Sequence, residues 1–95
     1  MFVVLLKPSG QPGRAGDLLA GHKAWLEKGL ADGVFALWGS LKPEGGGAIM
    51  AHGLDRAALE KRVAADPFVS GGVVRAEIVE IAPARAESRL EFLLD

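Results

Sequence analysis

The sequence contains no cysteine, no tyrosine and few aromatic residues among its 95 positions. The absence of cysteine excludes disulfide frameworks, thiolate zinc sites and a cysteine nucleophile. The absence of tyrosine excludes any mechanism that needs a phenolic acid. The small number of aromatic side chains also leaves little surface on which single-stranded nucleic acid could stack.

An excess of charge of one sign is also missing. Eleven basic and twelve acidic residues nearly cancel, and the basic ones are scattered along the chain. No basic stripe is present that could neutralise a row of phosphates. We therefore expect no nucleic-acid partner.

Long hydrophobic runs are absent from the amino-terminal region. The apolar run at residues 2–6 ends at Lys7 and Pro8, which is too short for a signal-peptide core or a membrane span. The sequence therefore predicts a soluble, cytoplasmic protein without a membrane partner.

The order of strands and helices follows from the apolar patterns and the breakers between them. Asp17 and Asp55 are placed to cap the two helices. Pro67 biases Asp66 away from helical dihedral angles, so the second helix should end there. The predicted elements are strands at residues 2–6, 34–40, 48–51 and 73–81 and helices at residues 17–31 and 56–65.

Two strand–helix–strand units in series predict an α+β domain of the ferredoxin-like βαββαβ type, with a four-stranded antiparallel sheet and two helices on one face. The other face of the sheet would be bare, and on so small a domain a bare face is a natural dimer surface or ligand cavity. Residues 1–83 would form this domain. The tail at residues 84–95 is apolar enough to dock on the domain or on a partner subunit.

His22 lies near the middle of the apolar side of the first predicted helix. An unpaired buried imidazole costs about 1–3 kcal/mol, so the ring must have a partner. One interpretation is a core histidine bonded to a backbone carbonyl. The other is a pair with Asp66, whose carboxylate would orient the ring and favour its charged form, as general acid–base catalysis requires. An Asp-Pro breaker would account for Asp66 without any such pair.

Three further features have weaker functional interpretations. Ser40 ends the second strand in a segment that lacks the second glycine of a nucleophile elbow, so we expect it to bond a substrate rather than attack one. Gly45–Gly47 leads into a strand, which favours a flexible hairpin over a phosphate loop. His52 has no partner at a metal-ligand spacing, so we predict no metal site and place His52 in a surface loop.

Several segments of the chain resemble the YciI-like family. They are His22–Leu26, Gly39–Leu41, Gly46–Ile49, Ala65–Val69 and the pair Gly72 and Val73. The resemblance implies a dimeric α+β barrel, in which two ferredoxin-like subunits pack sheet against sheet around a pocket. It also implies a catalytic His-Asp dyad at His22 and Asp66, with Gly39 and Ser40 as substrate-binding positions. Relatives of this family resemble muconolactone isomerase or act on chlorinated aromatics, which implies acid–base chemistry next to a carbonyl or enol.

Two functional hypotheses follow. The first is a cofactor-free and metal-free enzyme of the isomerase, lyase or dehydrochlorinase type, which acts on a small molecule in the pocket of a homodimer or higher homo-oligomer. The alternative is a non-catalytic small-ligand-binding or accessory dimeric module, in which the pair is only a polar tie between helices. A monooxygenase would rest on fold analogy alone.

Overall fold

The computed structural model describes residues 1–94. The strands in this range are β1 (Phe2–Pro8), β2 (Phe35–Ser40), β3 (Gly47–Ala51) and β4 (Val74–Glu80). The α-helices are α1 (Ala15–Ala31), α2 (Arg56–Ala64) and α3 (Pro67–Ser70). Short 3₁₀ segments lie at Pro12–Arg14 and Ser88–Leu93. No helix within these residues has the length and hydropathy needed to cross a bilayer.

The four strands form one antiparallel sheet in the order β2-β3-β1-β4. The central strand β1 is the one with the most continuous apolar sequence, as expected for a strand with neighbours on both sides. It runs two residues beyond the predicted end, where Lys7 pairs with Glu77 of β4 at 2.9 Å. The predicted α+β fold of the ferredoxin-like type is confirmed.

Alternation along the strands separates a buried face from an open one. On the buried face, Val4 of β1 lies between Ile49 of β3 and Ile78 of β4, and this row packs under the helices in the core. On the opposite face a second apolar row crosses the whole sheet. Its members are Leu37, Met50, Val3 and Val79. Leu37 is 54% exposed, so this face is open in the single chain.

Helix α1 differs from the prediction at its start and along one border. It begins at Ala15 rather than being capped by Asp17, because the 3₁₀ turn before it leads directly into the helix. Asp17 instead lies in the first turn, where a negative charge is favourable. The helical period also assigns Leu19 and Leu30 to the apolar side, but both are exposed. Both lie on one border of that side, beyond the part that the sheet covers.

The region after α2 contains an element that the sequence analysis missed. Asp55 caps α2 as predicted, and its carboxylate accepts a hydrogen bond from the Ala58 N–H at 2.8 Å. Helix α2 ends at Ala64, and Asp66 then caps the separate helix α3. Asp-Pro acts here as an N-cap followed by proline in the first turn, a combination that starts a helix as readily as it ends one.

Ion pairs at Asp32 connect the end of α1 to α2 at the periphery of the domain. Asp32, at the end of α1, pairs with Lys28 at 3.2 Å and with Arg62 of α2 at 3.1 Å. The Lys28 bond, followed by the Arg62 bond, holds the pKa of Asp32 below its ordinary value.

The tail docks on the domain near His52. Leu93 is buried, and the rings of Phe92 and His52 are in edge contact with their centroids 5.0 Å apart. His52 lies in the loop between β3 and α2, as predicted, and is half-buried beside the tail.

Candidate active site

His22 and Asp66 form a hydrogen-bonded pair between α1 and the start of α3. His22 Nδ1 lies 2.8 Å from Asp66 Oδ1, a distance typical of charge-assisted hydrogen bonds. The side chain of Asp66 is 0% exposed and that of His22 is 12% exposed. The contact that the resemblance to the YciI-like family implied between these residues is therefore present, and it lies almost entirely out of water.

The position of Asp66 is set by the backbone of α3. Its Oδ1 atom accepts a second hydrogen bond, at 3.0 Å, from the N–H of Phe68. The same oxygen therefore caps α3 and orients the imidazole. The other oxygen, Oδ2, is buried and has no hydrogen-bond partner within residues 1–94. Asp66 therefore contacts the His22 ring through Oδ1 alone, and on the ring it contacts Nδ1.

Aromatic side chains hold the plane of the imidazole. The ring of Phe68 is stacked on it with a centroid distance of 4.0 Å and an angle of 8°. Trp25 lies 6.0 Å away on a nearly parallel plane, and its Nε1–H donates to the carbonyl of Arg62 at 3.0 Å. His22 is therefore restrained at one ring edge by Asp66 and on its face by Phe68.

Small residues allow α1 and α3 to approach closely enough for this pairing. A Cβ atom on Gly21 would lie 3.1 Å from Pro67 Cγ, and one on Gly71 would lie 2.3 Å from Leu18 Cδ1. Larger side chains at either position would push the two helices apart. The approach therefore depends on glycine where the helices meet.

A cleft of about 550 Å³ opens beside the imidazole. Its lining residues are Leu6, Leu19, His22, Lys23, Leu26, Trp38, Gly39, Ser40, Gly46, Gly47, Phe68 and Val74. Because Asp66 engages Nδ1, the ring nitrogen left to meet a ligand is Nε2. Gly39 and Ser40 line the same cleft as His22, so the structure brings all four expected site residues to one place, with Asp66 behind the ring.

The cleft lies on the helix side of the sheet. Leu6 and Val74 belong to its buried face, and Ser40 pairs across the sheet with Gly47 on that same face. A single chain therefore forms the cavity that contains His22. The open row of Leu37 and its neighbours lies on the opposite side of the sheet.

Metal ligation finds no support in this part of the chain. Within residues 1–94, no group of three or more His, Asp or Glu side chains is arranged to hold a metal ion.

Sequence reasoning missed two residues of the site. Lys23 follows His22 directly and lines the cleft, and Phe68 supplies the stacking ring. The signal for Phe68 was its place two residues after Asp66. The side chain of an N-cap bonds the backbone N–H two or three residues later, and here Asp66 Oδ1 accepts from the Phe68 N–H, so the cap brings Phe68 close to the carboxylate that binds His22.

The site and the fold define an α+β domain with a buried His-Asp pair beside a cleft of about 550 Å³. The model of the YCII-related domain family matches residues 1–83. The chain therefore belongs to that family, which confirms the resemblance noted from its sequence. Comparison with curated proteins finds no match.

A solved structure has the same fold. It is 5-chloro-2-hydroxyhydroquinone dehydrochlorinase (TftG) from Burkholderia phenoliruptrix AC1100, in complex with 2,5-dihydroxybenzoquinone. The TM-score is 0.68 at 18% sequence identity, and the match covers 85% of this chain and 93% of that chain. At this identity the similarity establishes the shared fold.

Proposed function

We propose that this protein is a cofactor-free enzyme that transfers a proton on a small molecule, with His22 as the acid–base group and Asp66 as the residue that orients it. The observation that carries this proposal is the bond from His22 Nδ1 to the buried carboxylate. That bond leaves Nε2 with its lone pair for the cleft. A fixed tautomer and a free basic nitrogen are what a general base requires.

The reaction needs no external oxidant or reductant. Nε2 of His22 removes a proton from a carbon next to a carbonyl, and the electron pair of the broken C–H bond moves onto the carbonyl oxygen as an enolate. The imidazolium then returns the proton at another carbon, which gives an isomerase. If a chloride leaves with the electron pair instead, the net result is loss of HCl. Ser40 and the backbone at Gly39 are the proposed contacts of the substrate oxygen.

The size and lining of the cleft favour a small ring as the substrate. A volume of about 550 Å³ is within the range of small-molecule sites, and Trp38, Phe68 and Leu6 supply flat or apolar walls. TftG, which shares the fold, is named as a dehydrochlorinase of a hydroxyhydroquinone and is in complex with a dihydroxybenzoquinone. We therefore propose hydroxylated or enolisable rings as the first candidates.

We also propose that two copies pair through the open sheet face. Such pairing would cover the apolar row of this face, in which Leu37 and Val79 are exposed and Met50 and Val3 are half-buried. Leu37→Asp should shift the wild-type dimer to monomer in sedimentation equilibrium. A wild-type protein that is monomeric at all concentrations would contradict this assembly.

The test of the activity is hydrogen exchange at carbon. A panel of enolisable ring ketones, lactones and chlorinated hydroxyhydroquinones is incubated with the protein in D₂O, and C–H loss and chloride release are followed by NMR and ion chromatography. His22→Asn should lower the rate about 100-fold or more. His52→Asn is the matched control, because this histidine lies under the tail and outside the cleft, and it should retain the wild-type rate.

The alternative is a non-catalytic ligand-binding module. The observation that favours it is that the same pair also joins α1 to α3, so it has a structural use without any reaction. Equal exchange rates in wild type and His22→Asn, with unchanged ligand affinity in Asp66→Asn, would support the module and contradict the enzyme.

A further inference from the structure

The lining of the His22 cleft has an unbalanced charge. Among its twelve lining residues, Lys23 is the one with a permanently charged side chain, and none of the aspartates and glutamates within residues 1–94 lines the cavity. The nearest carboxylate of the site, Asp66, lies behind the imidazole, fully buried and bonded to it. A ligand in the cleft therefore meets a cation and no competing anion.

Lys23 is free to contact such a ligand. Two lysines of the domain are held by carboxylates, Lys7 by Glu77 and Lys28 by Asp32. Lys23 takes part in no ion pair or side-chain hydrogen bond within the part of the chain that the structure describes. No protein carboxylate has to be displaced before its ammonium group binds an anion.

The helix places this charge at the border of the cleft. Leu19 and Leu26 lie four residues before and three after Lys23, which puts the three side chains side by side on α1. All three line the cavity. The alkyl stem of a lysine covers apolar neighbours while its charged end stays in water. This arrangement combines an apolar wall for a ring with a cation at its rim.

We propose that Lys23 binds the substrate and selects small planar rings that carry a negatively charged oxygen, such as an enolate, phenolate or carboxylate, over neutral rings. This inference rests on the proposed function, because the enolate that proton removal creates is an anion of the same kind. Lys23 would then stabilise the charge that His22 generates. A ring bound beside Lys23 would also contact Leu19, which lines the same cleft and is exposed in the single chain.

The experiment measures binding without turnover. The ligands are 2,5-dihydroxybenzoquinone, whose hydroxyl groups are vinylogous acids ionised at neutral pH, and its neutral dimethyl ether. Each is titrated calorimetrically into wild type, Lys23→Met and Lys61→Met. Methionine keeps the apolar stem and removes the charge. Lys61 is an exposed lysine of α2 that does not line the cleft, so its variant controls for net charge.

Lys23→Met should weaken binding of the anionic ring about five-fold, as expected for a contact between unit charges in water-like surroundings. Binding of the dimethyl ether should not change, and Lys61→Met should match wild type for both ligands. The wild-type preference for the anion should also decrease with added salt. Equal affinities of wild type and Lys23→Met for the anion would overturn the proposal. So would a wild type that binds the anion no more tightly than the ether.

His22→Asn separates this inference from the proposed function. If exchange at carbon is unaffected by His22→Asn while Lys23→Met still weakens anion binding, the enzyme assignment fails and the anion site stands. If His22→Asn abolishes exchange but Lys23→Met leaves anion binding unchanged, the enzyme stands and the role of Lys23 is wrong.

Discussion

Replacing Asp66 by alanine removes two hydrogen bonds from one buried oxygen atom. Asp66 Oδ1 accepts from the Phe68 N–H at 3.0 Å and pairs with His22 Nδ1 at 2.8 Å. The first bond caps α3 and the second satisfies an imidazole that is 12% exposed. Asp66→Ala therefore disturbs a helix start and an interhelical contact together.

The cost can be worked out from these parts. Loss of an N-cap costs about 1 kcal/mol. An imidazole N–H left without a partner in a nearly dry position costs about 1–3 kcal/mol. The small cavity adds to this, whereas removal of the unpaired Oδ2 atom offsets part of it. We expect a total of about 3 kcal/mol, which is a large share of the roughly 5–15 kcal/mol that stabilises a typical domain.

Asp55→Ala is the matched control for this measurement. Asp55 caps α2 with a bond to the Ala58 N–H at 2.8 Å, as Asp66 caps α3, but Asp55 is exposed and has no imidazole partner. Its loss should cost only about 1 kcal/mol. Urea unfolding followed by circular dichroism measures the free energy of unfolding of both variants. If its slope against urea concentration is the same in wild type and variants, the same surface area is exposed on unfolding.

The pairing itself is isolated by a double-mutant cycle with His22→Leu. The coupling free energy between positions 22 and 66 should be about 1 kcal/mol or more, as for other residues in direct contact. If Asp66→Ala and Asp55→Ala lower the free energy of unfolding equally, and the coupling is zero, Asp66 is only a helix cap and the reasoning from burial is refuted.

Three further perturbations test the packing, the charges and the tail. Gly29→Ala should destabilise the fold by about 1–3 kcal/mol in urea unfolding, because an added Cβ would lie 2.0 Å from the ring of Phe35, the first residue of β2. Gly16→Ala in the same helix has open space and should instead stabilise by roughly 0.5 kcal/mol, so equal effects would contradict this packing. The pKa of Asp32 is lowered in the fold from 3.8, so its ion pairs stabilise the folded state above that value and this stabilisation is lost as the pH falls through the lowered pKa. The loss of unfolding free energy caused by Asp32→Asn, measured by urea unfolding at a series of pH values, should therefore vanish in strong acid. A loss that is constant across the pH range would contradict the stabilising role of these ion pairs. Leu93→Ala should cost about 2 kcal/mol and the exposed Leu90→Ala less than about 0.5 kcal/mol; equal melting temperatures of these two variants would show that the tail does not dock as described.

Much of the architecture could be predicted because its signals are local. The β-branched run of β1, the breakers between elements and the Asp55 cap each act within a few residues, and the right-handed crossover rule then leaves few topologies. The contact of His22 with Asp66 was one of two interpretations of the local pattern, and the resemblance to the YciI-like family favoured it over a bond to a backbone carbonyl. The helical period places His22 toward the core, where an imidazole needs a polar partner.

The parts that were missed depend on tertiary packing. The period of α1 put Leu19 and Leu30 on its apolar side, but how far the sheet extends under that side is a property of the whole fold. Asp66-Pro67 is ambiguous for a different reason, since the same dipeptide ends one helix and begins another. The position of Lys23 at the cleft also required the neighbouring strands, because a lysine next to a core position is usually a solvated residue.

The position of the proton on the His22 ring tests the proposed His22–Asp66 dyad most directly. Long-range ¹H–¹⁵N spectra of the protein, recorded at a pH at which the ring is neutral, distinguish Nδ1–H from Nε2–H. The proposed dyad requires the proton on Nδ1 in wild type, facing Asp66, with Nε2 unprotonated toward the cleft, and a shift toward the Nε2–H form in Asp66→Ala. A wild-type ring that carries its proton on Nε2, or a tautomer that Asp66→Ala leaves unchanged, would contradict the dyad and with it the proposed proton transfer.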